Sequence, residues 1–337
     1  MDTRDSQASS DRPRGRSRFL GDLGWFGGGA ALAALCALMG EMQAEPVVVG
    51  ETVLWTVDRD ASRLYGLDRE LLIGRAVPVD YPLEVESVRD GGSWVLRSGD
   101  GTSGSSARLD RLDPRGVLLT ELYLENCRAL GCLERLDALV LENVNGTVRL
   151  SRVREEGSLF PLCSRPDLAS VCGSAGSILC GTDLGAVVRI DPTSGAVLGE
   201  IQLGGRIGDV APGPEPGSVW ALDVQGTGRL LLLDAALSIR WSVGVGFPCA
   251  HVGPVTGEES AWVADTSSPR VRRFGPGGLV ALDRQNLPAG NFDRTIAWRD
   301  GGALLLSPSA IVHVHRDGTL APGQGGFAWL GDAARLR

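Results

Sequence analysis

The sequence predicts an all-β fold, a single β-propeller with seven blades, and six as the alternative count. Three observations carry this. Short strand-like segments recur at a nearly fixed interval along the chain. Forty-seven glycines and 18 prolines in 337 residues interrupt any helix before it runs beyond about three turns. Each recurring unit holds four short apolar runs, enough for a small sheet but too few to bury both of its faces without neighbours.

The first 44 residues stand apart from this pattern. Arg12, Arg14, Arg16 and Arg18 precede an apolar run from Leu23 to Met39, the layout of a secretory signal. That run is 17 residues long with four glycines, at the lower limit for a membrane span. Residues 1–44 therefore read as a signal peptide cleaved near Ala44 or as a single N-terminal membrane anchor, and residues 45–337 as the propeller. Either way the propeller is expected outside the cytoplasm: periplasmic, extracellular or held at the outer face of the membrane.

From residue 45 onward the units run in order. Their first marked strands centre on Trp55, Trp94, Leu139, Leu179, Trp220, Trp262 and Leu304, in steps of 39, 45, 40, 41, 42 and 42 residues. A second strand follows about a dozen residues later, as in Arg63-Leu64-Tyr65-Gly66-Leu67 or Arg229-Leu230-Leu231-Leu232-Leu233. It ends in a turn such as Asp113-Pro114-Arg115-Gly116, where proline presets one angle and glycine accepts a positive φ. A third strand, as in Gly195-Ala196-Val197-Leu198, leads onward, and a short apolar segment such as Ile207–Ala211 precedes each anchor. Four antiparallel strands per unit make a blade, and a ring of blades covers every sheet face. Trp55, Trp220 and Trp262 are predicted to sit between neighbouring blades.

The sixth unit, Trp262-Val263-Ala264-Asp265-Thr266-Ser267-Ser268-Pro269-Arg270-Val271, resembles an NHL repeat, and units one and five (Trp55 to Asp58 with Arg63; Trp220 to Asp223 with Arg229) are similar. In units two, three and seven Arg97, Glu142 and Ser307 replace the aspartate. The resemblance spans most of residues 46–320. It implies the propeller fold, which regucalcin-like lactonases, streptogramin lyases and many binding-only proteins share, and it implies no single activity. No residue role from those families matches position by position.

Composition limits the partners. Forty-one acidic against 33 basic residues give a net charge of −8, which repels a phosphate backbone, so no nucleic acid is expected. All the basic residues are arginine, which removes lysine chemistry. Six cysteines follow the N-terminal segment, an even number in an exported chain, and disulfides are expected. Cys127 and Cys132 read as a loop pair and are expected to be bridged. The other four remain unassigned.

No Gly-x-Ser-x-Gly, His-Glu-x-x-His or dinucleotide signature occurs, so no catalytic residue is named. The Asp58–Arg63, Asp223–Arg229 and Asp265–Arg270 pairs are expected to face one another across hairpins as scaffold. A carboxylate rim would leave room for a divalent cation such as calcium or magnesium. Glu86, Asp209, His251 and Arg294 are polar residues in inner-strand segments whose counterparts are aliphatic, and they are the candidate ligand-binding set in the funnel. His313 and His315 share one strand face, the spacing of a two-histidine metal site without a visible third donor. The reading expects a monomeric binding or protein-interaction scaffold at the cell envelope, for an unknown protein or small molecule, touching membrane only through the N-terminal anchor. The enzyme alternative is a metal-dependent hydrolase or lyase using the funnel.

Overall fold

The computed structural model describes residues 52, 54–99, 106–133, 136–321, 324–325 and 330–335. The predicted signal or anchor at 1–44, Cys36 included, lies outside them. Among the described residues, no helix is long and apolar enough to cross a membrane.

Seven four-stranded antiparallel sheets form the seven blades. Blade one holds β1 (Leu54–Asp58), β2 (Arg63–Leu67) and β3 (Ile73–Pro78). Blade two is β4 to β7, spanning Pro82–Ser87, Ser93–Ser98, Ala107–Leu112 and Leu118–Leu124. Blade three is β8 to β11: Cys127–Cys132, Ala138–Val144, Thr147–Val153 and Leu159–Arg165. Blade four is β12 to β15: Leu168–Ser174, Ser177–Thr182, Ala186–Ile190 and Val197–Gln202. Blade five is β16 to β19: Ile207–Pro212, Val219–Asp223, Arg229–Leu233 and Ile239–Gly244. Blade six is β20 to β23: Val252–Pro254, Ala261–Ala264, Val271–Phe274 and Val280–Arg284. Blade seven is β24 to β27: Arg294–Ala297, Ala303–Ser307, Ala310–Val314 and Gln324–Gly325. The final strand, β28 (Leu330–Arg335), returns to pair with β1 and supplies the inner strand of blade one. Closing the ring with the chain end leaves no long sheet edge at the seam.

The buried apolar side chains fall into clusters that each bridge two consecutive blades. Trp55, Val57 and Leu64 pack on Val85, Val95 and Leu112 of blade two, and Trp262 and Val271 pack on Ala303, Leu305 and Val312 of blade seven. Trp220 sits in the cluster between blades five and six. All three tryptophans are fully buried, as predicted. Two of them also reach the next blade's turn, since Trp55 Nε1 donates to Gly91 O at 3.1 Å and Trp262 Nε1 to Gly301 O at 3.0 Å. Trp220 Nε1 has no such acceptor, and its ring instead meets Trp241 edge-on at 5.2 Å.

The turn aspartates are scaffold. Asp113 Oδ1 accepts from the amides of Arg115 and Val117, each at 2.8 Å, and Asp191 and Asp234 do the same for their own turns. Gly116 sits at φ 77°, where a Cβ would meet Val77 of blade one at 2.4 Å, so only glycine closes this turn.

The Asp and Arg positions face one another across their hairpins, the carboxylate meeting either the arginine or its own turn amides. Arg229 reaches Asp223 at 3.3 Å, whereas Arg270 pairs with Asp283 at 2.5 Å. Asp265 instead caps its own turn through Ser267 and Ser268. In unit three Glu142 takes the aspartate's place and still pairs with Arg149, at 3.1 Å. One expectation needs correction: none of the six described cysteines is in a disulfide. Cys127 and Cys132 are the first and last residues of β8, not a loop. Five extended residue steps separate them by roughly 16 Å, far beyond the about 7 Å limit for a bridge. The glycine before Cys132 and the polar residues around the pair imitate a loop, but the inner strand of a blade needs small residues for close approach.

Candidate functional site

The inner strands converge on the ring axis and enclose a channel of about 800 Å³. Convergence restricts side-chain size. Opposite the anchors Leu139, Leu179, Trp220, Trp262 and Leu304 stand Gly131, Cys172, Ala211, Gly253 and Ile296. A Cβ on Gly131 would lie 2.7 Å from Val171 O of the next inner strand, so at this position only a bare backbone fits. Glu86, opposite Trp94, is the charged member of this otherwise small or apolar level.

Two residues nearer the start of the inner strands, the wall becomes polar. Glu84, Asp209 and Arg294 lie there opposite Leu96, Leu222 and Leu306. His251 immediately precedes β20, at the corresponding height. All four predicted residues, Glu86, Asp209, His251 and Arg294, line the channel. They also touch one another in a row contributed by four blades. Arg294 Nη2 lies 3.4 Å from Glu86 Oε1, Arg294 Nη1 lies 3.5 Å from His251 Nδ1, and His251 Nδ1 lies 3.5 Å from Asp209 Oδ2. Nδ1 of His251 thus faces a donor and an acceptor at equal distance, and its tautomer selects between them.

The row is wet, with side-chain exposures from 18% for Glu86 to 28% for His251. Its contacts, at 3.4–3.5 Å, are longer than the 2.7–2.9 Å common for charge-assisted hydrogen bonds. Asp209 has one firm commitment, accepting from the Val252 amide at 2.8 Å. Glu84, which inspection of the sequence passed over, does the same for Leu130 at 2.8 Å. Each of these carboxylates ties one inner strand to the next. The signal for Glu84 was its place two residues before Glu86 on the same strand.

Cys249 and Cys127 are poor nucleophiles. Burial pushes the Cys249 thiol up to about 12, helped by the carboxylates of Asp223, Asp265 and Asp209. Cys127 is held well above the ordinary thiol range by burial and by Glu84 and Glu142.

A second group lies in blade seven, away from the channel. His313 Nε2 is 3.4 Å and His315 Nδ1 2.6 Å from Asp300 Oδ2, and the two imidazole centroids are 4.4 Å apart. The third donor missing from the sequence pattern is therefore Asp300, in the turn between β24 and β25. His313 is not on a plain surface face, being only 7% exposed. Burial lowers its pKa against the pull of Asp300. Burial would raise the Asp300 pKa, but the His315 hydrogen bond, the Gly302 amide and both imidazoles hold it below the usual carboxylate range.

No protein-family model matches the sequence, and no curated protein matches it either, so the NHL resemblance stays a likeness of strand pattern. Solved structures do match. A functionally unknown protein from Desulfotomaculum acetoxidans is 14% identical with a TM-score of 0.65, over 85% of this chain and 99% of that one. Apo AztD from Citrobacter koseri is 12% identical with a TM-score of 0.62, over 85% and 98%. A streptogramin B lyase is 13% identical with a TM-score of 0.59, over 78% and 91%. At these identities the likeness is one of fold, and the chain is a seven-bladed β-propeller.

Proposed function

We propose that the protein is an exported β-propeller that acts as a binding module at the cell envelope and takes a small polar ligand in its central channel. The observation that carries this reading is the linked row of Glu86, Arg294, His251 and Asp209, drawn from four blades onto one cavity wall. A channel of about 800 Å³ has the size of a small-molecule site. Arg294 and His251 supply donors and Glu86 and Asp209 supply acceptors, so the matching ligand carries a carboxylate together with an amino or hydroxyl group. The planar guanidinium fork suits the carboxylate. The Arg-rich start and the apolar run Leu23–Met39 support export, which cell fractionation with N-terminal sequencing tests.

The second reading, a metal-dependent hydrolase or lyase in the funnel, draws on the His251–Asp209 contact, because a carboxylate beside an imidazole orients a general base. Against it, the histidine–carboxylate group with three donor atoms in mutual reach, among the described residues, lies in blade seven and not in the channel.

The test is a thermal-shift screen of the full chain against amino acids, hydroxy acids and dicarboxylates. A ligand at one hundred times its Kd adds about 2.7 kcal/mol of stability. Arg294→Ala and His251→Ala should keep the unliganded melting temperature within a few degrees and abolish the ligand-induced rise. A rise unchanged in both variants would place the ligand elsewhere, and turnover lost in Asp209→Asn would favour the enzyme.

A further inference from the structure

The blades provide their own controls for the group in blade seven. In blade two, Asp90 lies four residues before the anchor Trp94, and Arg111 lies opposite that anchor, with Arg111 Nη2 and Asp90 Oδ2 2.5 Å apart. In blade six, Glu258 and Arg273 hold the same two positions around Trp262, 2.9 Å apart. In blade seven the positions fall to Asp300 and His313 around Leu304. Even the turn is shared: Asp90 Oδ1 accepts from Gly92 N at 2.9 Å, and Asp300 Oδ1 accepts from Gly302 N at 2.7 Å. Where blades two and six hold an acid–arginine pair, blade seven holds an acid–histidine pair, with a second histidine two residues on. Arginine carries only donors, whereas a neutral imidazole carries a lone pair.

We propose that Asp300, His313 and His315 form a binding site for a divalent first-row transition ion such as zinc. The three donor atoms lie within 4.8 Å of one another. Ligands at about 2.0–2.1 Å from a tetrahedral zinc stand about 3.3–3.5 Å apart. The 3.4 Å between His313 Nε2 and Asp300 Oδ2 already has that value, and His315 at 2.6 Å must move back by less than about 1 Å, which an exposed side chain permits. A second, independent observation points the same way. His313 is more than nine-tenths buried, yet its Nε2 has no hydrogen-bond partner, its contact with Asp300 being too poorly aligned to count as one. A buried nitrogen left in that state costs stability unless something else occupies its lone pair. Trp298 packs edge-on against the His313 ring and fixes its plane.

The surroundings decide the class of ion. Two nitrogen donors with one carboxylate suit zinc, cobalt or nickel and disfavour calcium and magnesium, which take oxygen. Arg273 and Arg316 line the same solvent-open hollow and would repel a cation, but both are paired to Glu258, at 2.9 and 2.7 Å. Asp300 and His315 line this hollow, so an ion held by the three donors would be within reach of water from it.

Titration of the full chain with zinc, read by competition with a chromophoric chelator, tests the site. One equivalent should bind, and His315→Ala and Asp300→Asn should each weaken it at least tenfold. Magnesium and calcium should not compete. Substituted cobalt should give ligand-field bands without the thiolate charge-transfer band that cysteine ligation would add. His313→Arg reinstates the pair used by blades two and six, so it should fold, as judged by circular dichroism, and bind no zinc. Wild-type protein that binds no zinc below 0.1 mM would overturn the proposal, and so would binding unaffected by all three substitutions.

Discussion

Blades two and seven hold an aspartate at the same turn position, yet the group opposite the anchor makes one a closed ion pair and the other a set of donors. In blade two, Arg111 is fully buried against Trp94, and it donates to Asp90 and to the carbonyls of Ser93 and Leu112. Both terminal nitrogens go into the scaffold, and only the donor Nε is left without a partner. In blade seven the shorter His313 leaves Nε2 without a partner, and His315 joins from the next position on the same face. In a repeat protein the positions shared by several blades report packing, and a departure that puts an imidazole lone pair where the other blades hold only arginine donors is where chemistry can enter.

The strongest way to sharpen the comparison is through the tryptophans that hold the two turns. Trp55 donates to Gly91 beside Asp90, and Trp262 donates to Gly301 beside Asp300. Both are fully buried, so Trp55→Ala and Trp262→Ala should each cost about 3–5 kcal/mol. Chemical denaturation measures this. An unchanged midpoint in either variant would show that its turn is held by something other than the indole.

A smaller effect is expected at Arg111. Removing it by Arg111→Leu keeps apolar contact with Trp94 but leaves Asp90, which is 36% exposed and can regain water. The cost should be about 1–3 kcal/mol, less than for a pair buried on both sides. A gain in stability would mean that the blade-two pair is not a stabilising unit and would remove the control on which the contrast with blade seven rests.

The smallest effect concerns an outer pairing that blades two and six share. Glu121 lies between Arg97 and Arg108, and Asp283 between Arg270 and Arg272. Hydrogen bonds from Arg270 and Arg272 hold the Asp283 carboxyl down at about 2, against its partial burial. A folded-state pKa below the unfolded value contributes stability that is full above about pH 4 and is lost as pH falls toward 2. The carboxylate is partly exposed, so Asp283→Asn should remove under about 1 kcal/mol near neutrality and flatten that part of the acid-denaturation curve. Identical acid limbs for the two proteins would mean that the pair contributes nothing.

Much of the candidate site was legible in the sequence, because the repeat turns each odd residue into a comparison. Glu86, Asp209, His251 and Arg294 stood out as polar residues beside aliphatic ones in inner-strand segments, and all four line the channel. Glu84 escaped notice because a strand gives no sign of which of two alternate glutamates faces a neighbour. Asp300 escaped because it sits 13 residues before His313 and looks like any turn aspartate. The Cys127–Cys132 bridge failed for a related reason: a count of cysteines and a short spacing say nothing about whether the intervening backbone is folded back or extended, and here it is extended.

The sequence by itself determined most of the strands and turns and the number of blades, because each depends on alternation and turn chemistry within about forty residues, β8 being the strand it read as a loop. Only the tertiary structure decided which distant residues meet. Arg294 and Glu86 are 208 positions apart, and β28 must cross back to β1, before either can line the channel. Those contacts exist because seven sheets can cover their apolar faces only by closing into a ring, and closure converts residues at similar heights in separate repeats into neighbours on one wall.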